Sequence, residues 1–149
     1  MEIREDYENC AGRAFYRVAG NNPPILRDFF SYRDLGRPLF DESQEGYENW
    51  IGVSVYEKRR QAVALAKYLM RRRRPVGTFV VEIVLPSDRL IWGKRMGGEG
   101  HYNLFVDPDL LLECYSRTVA ELASGMNSGE DDVPAVGGGI GEPRRLIPD

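Results

Sequence analysis

The amino-acid sequence predicts an α+β fold: a split, mostly antiparallel sheet of about five to six strands, packed against two or three helices. Short segments that alternate between apolar and polar residues indicate the strands. One longer segment, Glu57–Arg73, instead repeats apolar residues at helical spacing. The chain has 149 residues, 42% of them hydrophobic, a length and composition that fit one domain with a substantial core.

The elements before residue 50 are short. Residues 1–12 are interpreted as a polar lead-in, and Ala14–Ala19 as the first strand. Arg17 lies within that strand, where a charged group is expected to have a partner or a ligand, or to reach water from an edge strand. A proline-containing turn then leads into a short helix that ends near Tyr32. Asp41–Asn49 is either a polar loop or a second short helix.

The segment Trp50–Ala66 reads as a strand that turns sharply into a helix. Alternation along the strand places four residues on one face: Trp50, Gly52, Ser54 and Tyr56. Because a core strand gains nothing from glycine, serine and tyrosine on one side, this face is predicted to line a cleft. An edge strand that faces water would show the same pattern.

The long helix, Glu57–Arg73, has an apolar stripe and a basic face. The stripe consists of Ala62, Leu65, Ala66 and Leu69, and the basic face of Arg60, Lys67, Arg71 and Arg74. The favoured interpretation is a solvated face with cations at the helix C-terminus. The alternative is a contact with the phosphate backbone of a nucleic acid.

Thr78–Leu85 is the clearest strand of the second half, and Glu82 lies in its middle. This carboxylate is expected either to pair with a cation such as Arg17, to line a cleft, or to face water. A short strand is predicted over Leu90–Trp92, followed by a flexible glycine-rich loop over Gly93–Gly100.

The next predicted strand, His101–Val106, begins with the chain's single histidine. A short helical turn, Asp109–Glu113, and a last strand, Cys114–Val119, complete a domain that we place at residues 13–119.

Residues 120–149 form an acidic arm rich in glycine and proline, predicted to be disordered or to order against a protein partner. Its six acids and two arginines give it a net charge of −4, which leaves +1 on the preceding 119 residues of a chain whose total is −3. Two cysteines and one histidine are too few for a zinc cluster. Neither a secretory signal nor a membrane span is recognisable, so a cytoplasmic protein is expected.

Five motifs follow one another in an order that resembles the ADP-ribosyltransferase-like fold, including RES-type toxin domains. They are FYRV, WIGVSVY, QAVALA, TFVVEIVLP and GHYNLF. The resemblance covers about residues 14–119, and small uncharacterised bacterial proteins show the same YRV…GVSV…GHY pattern. It implies that NAD is the substrate. Arg17 would hold the NAD phosphates or ribose, Ser54 would contact the nicotinamide ribose, and Tyr56 and Tyr102 would complete the binding set, with Tyr56 stacking nearby.

The resemblance also implies a catalytic group close to the mobile loop, for which Gly93–Gly100 is the match. The family's usual acid pair before the final strand is missing here, so the candidates are Glu82, Glu99 and His101. Cleavage of the nicotinamide–ribose bond builds positive charge on the ribose, which a carboxylate would stabilise. His101 would act instead as a neutral donor or a general base.

The sequence therefore favours an NAD-consuming protein, either an ADP-ribosyltransferase or a toxin-like domain that cleaves NAD. A non-catalytic interaction module on the same fold, with the acidic arm as its docking segment, is the first alternative. A nucleic-acid binder that uses the Arg60–Arg74 face is the second, and the near-neutral body together with the acidic arm argues against it.

Overall fold

The computed structural model describes residues 3–72 and 78–122 of the chain. This part contains seven strands, three α-helices and one 3₁₀ turn, so the α+β class is confirmed. In chain order they are β1 (Glu8–Asn9), β2 (Ala14–Ala19), the 3₁₀ turn (Leu26–Phe29), α1 (Gln44–Ile51), β3 (Val53–Tyr56), α2 (Arg59–Arg72), β4 (Thr78–Val84), β5 (Trp92–Arg95), β6 (His101–Leu104), α3 (Pro108–Glu113) and β7 (Tyr115–Leu122).

The strands form one sheet with the order β1-β5-β6-β3-β2-β4-β7, in which every neighbouring pair is antiparallel. Strands β2 and β4 share six residue pairs, whereas β2 and β3 share only the pair Tyr16–Tyr56. The sheet therefore consists of two well-paired parts that are joined at a single rung and separate beyond it. This geometry agrees with the prediction of a split sheet.

The prediction of five to six strands was wrong, because the sheet has seven. The additional strand is β1, which lies within the segment interpreted as a polar lead-in. Tyr7 is 6% exposed and Cys10 is fully buried, so this segment supplies core side chains. A strand of two residues carries too little alternation to be recognised in a sequence.

The strand predicted over Leu90–Trp92 begins instead at Trp92 and continues to Arg95, so the first three residues of the expected glycine loop belong to β5. Gly93 serves close packing rather than flexibility. A Cβ atom at this position would lie 2.9 Å from the Cys10 sulfur and 3.2 Å from the Asn103 carbonyl oxygen. Only residues 96–100 of the expected loop lie between β5 and β6.

The prediction that Trp50 belongs to the central strand was wrong as well, because α1 extends to Ile51. This helix begins at Ser43, whose hydroxyl accepts a 3.0 Å hydrogen bond from the Gly46 amide. Of the two options left open for the preceding polar segment, the short helix is correct. The Trp50 indole donates to the Arg37 carbonyl at 2.7 Å, outside the strand.

The two faces of the sheet are covered differently. One face carries the larger core, which includes Phe15, Val55 and Leu104 and is closed by α3. The other face is covered by α2, whose Ala62 and Ala66 are fully buried. Small side chains on the buried stripe let the helix approach the sheet closely, and they fit the alanine-rich sequence of this helix.

Strand β7 ends at Leu122, which is 2% exposed and packs beneath α2. The domain therefore continues beyond the predicted boundary at residue 119, and the remainder of the predicted arm lies outside the described residues. None of the helices in the described part of the chain has the length and apolar character needed to cross a membrane.

Candidate functional site

The gap between β2 and β3 is bridged by an arginine. Beyond the rung Tyr16–Tyr56, the Arg17 side chain reaches across the gap and its Nη1 donates a 2.6 Å hydrogen bond to the Ser54 carbonyl. Its Nε donates to the Asp28 carbonyl at 2.7 Å. These bonds use two of the five N–H groups that a guanidinium carries and fix its plane at the mouth of the gap.

The loop that receives Arg17 is itself held in place by the Asp28 carboxylate. Its Oδ1 accepts from the Gly20 amide at 3.0 Å, and its Oδ2 accepts from the Ile25 amide at 2.9 Å. The carbonyl that accepts from Arg17 therefore belongs to a turn with several hydrogen bonds of its own. As a result, the Arg17 side chain is held in one orientation.

A pocket of about 110 Å³ opens beside Arg17. The residues around it are polar and aromatic: Arg17, Phe30, Ser31, Tyr32, Asn49, Gly52, Ser54 and Asn103. Pockets that enclose a drug-sized ligand measure roughly 300–1,000 Å³. This one matches a single ring or sugar, and a larger ligand would have to extend beyond it.

Ser54 and His101 form the closest side-chain contact of the site. The Ser54 Oγ lies 2.7 Å from the His101 Nε2, within hydrogen-bonding distance. The register pairs Ser54 with Asn103 and Tyr56 with His101, so the bond runs diagonally between neighbouring strands on one face of the sheet. Ser54, which the sequence places on a face expected to line a cleft, lines the pocket together with Arg17.

The imidazole of His101 is enclosed by its neighbours. His101 is only 6% exposed, and its ring stacks on the fully buried Tyr56 ring, with centroids 5.0 Å apart and an angle of 21° between the planes. This stacking restricts rotation of the imidazole and holds its plane against Tyr56. Tyr56 thus acts on His101, whereas the resemblance had implied that it stacks near the nicotinamide ribose.

The loop before His101 is clamped to the start of α2. Gln61 Nε2 donates to the Glu99 carbonyl at 2.7 Å, and Gln61 Oε1 accepts from the Lys58 amide at 3.0 Å. Gly100 has a positive φ of 77°, and a Cβ atom there would clash with the Gln61 amide group. The clamp therefore requires glycine at this position and fixes the point at which β6 begins.

Asn103 and Asn49 line the pocket, although the sequence interpretation did not select them. Asn103 Nδ2 donates to Asn49 Oδ1 at 3.0 Å. A Cβ atom at Gly52 would lie 2.7 Å from the Asn103 Cβ, so glycine is needed for this approach. The signal for Asn103 was available, since alternation in β6 places it on the same face as His101.

Glu48 is a second group that sequence reasoning missed, and it anchors the helix that carries Asn49. Its carboxylate is fully buried and accepts from Lys94 Nζ at 2.6 Å, from the Tyr7 hydroxyl at 2.8 Å and from Gln44 Nε2 at 2.8 Å. Burial alone would raise the pKa of Glu48, but the hydrogen bonds from Gln44, Lys94 and Tyr7 outweigh it and lower the pKa. The group is therefore a charged structural anchor.

Glu82 lies on the same face of the sheet as His101 but away from the pocket. The register aligns His101, Tyr56, Tyr16 and Glu82 in one cross-strand row. Three strand spacings separate the ends of this row, or roughly 14 Å. Of the roles considered, Glu82 takes that of a paired carboxylate, although its cation is not Arg17: it accepts from Arg117 Nε at 3.0 Å and from the Tyr16 hydroxyl at 3.0 Å.

Glu99 is exposed and holds the loop through its backbone carbonyl. Among the described residues, none of the three predicted catalytic candidates, Glu82, Glu99 and His101, lines the pocket, but His101 contacts the lining residue Ser54. Within the described ranges, no group of three His, Cys, Asp or Glu side chains is arranged to hold a metal ion.

Tyr102 points to the opposite face of the sheet, because it follows His101 by one residue. Its ring lies between two guanidinium groups, with the Arg13 and Arg95 Cζ atoms 4.9 and 4.8 Å from the ring centroid. Its hydroxyl accepts from both arginines, and both also pair with Glu57. The structure therefore separates Tyr102 from the pocket and gives it a place in an ion-pair cluster.

No protein-family model matches the chain, and no solved structure matches it significantly. Among curated proteins the chain is similar to a flavodoxin/ferredoxin–NADP reductase of Rhodobacter capsulatus, with 28% identity over 115 residues. The similar region covers 70% of this chain and 40% of the reductase, so the chain spans less than half of that relative's length.

Proposed function

We propose that this chain binds NAD, or a closely related pyridine dinucleotide, at the gap between β2 and β3 and cleaves its nicotinamide–ribose bond. It would act as an ADP-ribosyltransferase-like or NAD-cleaving domain. The observation that carries the proposal is that Arg17 and Ser54 line one small pocket and that His101 contacts Ser54 at 2.7 Å. These three residues come from three strands, and all three were selected from the sequence.

The size and lining of the pocket fit one end of a dinucleotide. About 110 Å³ matches a nicotinamide or a ribose, with Phe30 and Tyr32 as aromatic surfaces and Asn49 and Asn103 as amide partners. The Arg17 guanidinium at the mouth provides the positive charge that a pyrophosphate requires. The remainder of the dinucleotide would then follow the separation of the two strands.

The curated relative supports the choice of ligand class. That protein is named as a reductase that uses NADP, and the similarity favours a pyridine dinucleotide over other nucleotides. Because the chain spans 40% of the reductase, the similarity supports the ligand class and not the reductase reaction.

His101 is the group that we assign to proton transfer. Its Nε2 contacts the Ser54 hydroxyl at 2.7 Å, and its ring is held by Tyr56 and by the clamped loop before β6. A histidine changes its charge near neutral pH, so it can accept a proton from a hydroxyl group as the ribose bond breaks. Water as the acceptor gives NAD cleavage, and another nucleophile gives ADP-ribosyl transfer.

Product analysis tests the reaction. The full chain is incubated with NAD, and nicotinamide and ADP-ribose are quantified by chromatography for the wild type, His101→Gln and Arg60→Ala. Arg60 lies exposed on α2, away from the pocket-lining residues, and serves as the matched control. We expect nicotinamide release from the wild type and Arg60→Ala and a large loss in His101→Gln. Equal nicotinamide release from all three proteins would show that His101 takes no part in the reaction.

A further inference from the structure

We propose that Ser54 is itself a nucleophile, and that the ADP-ribosyl group passes through, or remains on, its hydroxyl oxygen. This inference rests on the proposed function, because it assigns the acceptor atom of the same site. It differs from the role implied by the family resemblance, in which the serine only contacts the nicotinamide ribose.

The geometry is that of a hydroxyl paired with its base. The Ser54 Oγ lies 2.7 Å from the His101 Nε2, inside the range of about 2.6–3.2 Å that is typical of activated nucleophiles. Ser54 also lines the pocket in which the ribose is proposed to lie. Both residues are on well-paired strands, β3 and β6, which share four residue pairs.

The base is held in a fixed orientation. Tyr56 stacks on one face of the imidazole, and the Gln61 clamp fixes the loop that enters β6 at His101. The ring of Tyr56 restricts rotation of the imidazole, with the two ring centroids 5.0 Å apart. In a Ser–His pair, a third group that orients the base is part of the working arrangement, and here ring stacking and the loop clamp supply that orientation.

The described residues that line the pocket include no carboxylate, so the Ser54 hydroxyl is assigned the role of nucleophile. Glycosidic bonds are usually cleaved with an Asp or Glu as nucleophile, although some glycosidases use a tyrosine hydroxyl. Glu82 is bonded to Tyr16 and Arg117, and the Glu99 carbonyl is bonded to Gln61. Ser54 is the pocket-lining hydroxyl that directly contacts a histidine base.

The step balances without any further reactant. The Ser54 oxygen forms a bond to C1′ of the nicotinamide ribose, and the bond from C1′ to the nicotinamide nitrogen breaks. The electron pair of the broken bond leaves with nicotinamide, which becomes neutral. The Ser54 proton passes to His101 Nε2 and from there to solvent. The product is an ADP-ribosyl acetal on Ser54, which water can cleave in a second displacement at C1′.

Two measurements on the full chain test the proposal. NAD is mixed with the protein, the reaction is quenched in acid after short intervals, and the intact mass and the peptide that contains Ser54 are analysed. In parallel, methanol is added as an acceptor, and the configuration of the methyl ADP-ribose is determined by NMR. Two displacements at C1′ give retention of configuration, whereas one direct displacement gives inversion.

We expect one ADP-ribose per chain on the Ser54 peptide and a methanol product with retained configuration. Ser54→Ala should lose the adduct and at least tenfold of the nicotinamide release while it still binds NAD. Ser87→Ala, which changes an exposed serine outside the pocket lining, should keep the adduct and the release. The thermal midpoint of each variant shows that it is folded.

An inverted product without an adduct, together with near wild-type nicotinamide release from Ser54→Ala, would overturn the nucleophile and leave the proposed function intact. Failure of the wild type to bind NAD or to release nicotinamide would overturn both. The two failures are distinguishable because only the first retains turnover.

Discussion

The Arg17 guanidinium donates a 2.6 Å hydrogen bond to the Ser54 carbonyl at the place where strands β2 and β3 separate. An antiparallel ladder that continued from the Tyr16–Tyr56 rung would pair Arg17 with Val55 and then Val18 with Ser54. The arginine side chain instead occupies this position and leaves a pocket beside it. Arg17 therefore supplies the positive charge of the site and also occupies the gap between β2 and β3.

The Gln61 clamp is predicted to position His101. Gln61→Glu keeps an acceptor for the Lys58 amide but loses the donor to the Glu99 carbonyl. Loss of one hydrogen bond of about 1 kcal/mol corresponds to roughly a fivefold decrease in nicotinamide release, expressed in kcat rather than KM. Because the chain has one histidine, the imidazole NMR signals of His101 report its environment directly. Unchanged imidazole shifts in Gln61→Glu would contradict the positioning role.

Gly52 is predicted to be intolerant of a side chain. In Gly52→Ala the new Cβ would lie 2.7 Å from the Asn103 Cβ and 2.8 Å from the Glu48 carbonyl oxygen. Overpacking of this kind costs about 1–3 kcal/mol and should displace Asn103 from the pocket wall. Thermal or urea unfolding measures the loss. Gly97→Ala is the matched control because open space surrounds that position, and equal stability of the two variants would refute the prediction.

Glu48 is predicted to make stability fall with acid. Its pKa is lower in the folded state than the usual value of 4.5, so its contribution is present above that value and is lost as the pH falls through the lower, folded pKa. Glu48→Gln removes this contribution and leaves Lys94 paired with Asp6 at 3.1 Å, so a cost of about 1.5–3 kcal/mol is expected near neutral pH.

Urea unfolding of wild type and Glu48→Gln from about pH 7 to pH 3 measures the dependence. The difference in unfolding free energy between the two proteins should shrink as the pH approaches the lower end. Glu42→Gln changes an exposed loop residue and should follow the wild type throughout. A difference that stays constant with pH would show that folding does not lower the pKa of Glu48.

Tyr102 is predicted to support stability and not NAD binding. Tyr102→Phe keeps the ring between Arg13 and Arg95 but removes the hydroxyl that accepts from them at 3.2 and 2.5 Å. Since both arginines still pair with Glu57, a loss of about 1–2 kcal/mol is expected. The affinity for NAD, measured by calorimetry, should change less than threefold. A larger loss of affinity would contradict this prediction and indicate that Tyr102 contributes to NAD binding.

The sequence located Arg17 and Ser54 because a charged and a small polar residue interrupt otherwise apolar strands. It placed His101 at the start of a strand for the same local reason. Glu48 could not be found in this way, because its burial depends on Tyr7 and Lys94, which lie 41 and 46 residues away in the chain. The resemblance placed Tyr102 in the NAD-binding set, although alternation with His101 already puts the two side chains on opposite faces of the sheet.

The split sheet also shows which features a local sequence pattern cannot predict. Strand β4 is recognisable from its own residues, but the single rung between β2 and β3 follows from how distant strands meet. Likewise, the sequence did not predict that β5 continues to Arg95, because Gly93, Lys94 and Arg95 include no apolar side chain that would show the alternation of a strand. Register and pairing partners are tertiary properties, and no single segment specifies them.

Calorimetric titration of NAD into the full chain and into Arg17→Ala tests the central claim most directly. We expect saturable binding to the wild type and to Arg60→Ala. Arg17→Ala should bind at least tenfold more weakly, since charge-assisted hydrogen bonds contribute about 1.5–3 kcal/mol, and its thermal unfolding shows whether it is folded. Absence of binding at millimolar NAD, or equal affinity of a folded Arg17→Ala, would contradict the assignment of the gap between β2 and β3 as a dinucleotide site.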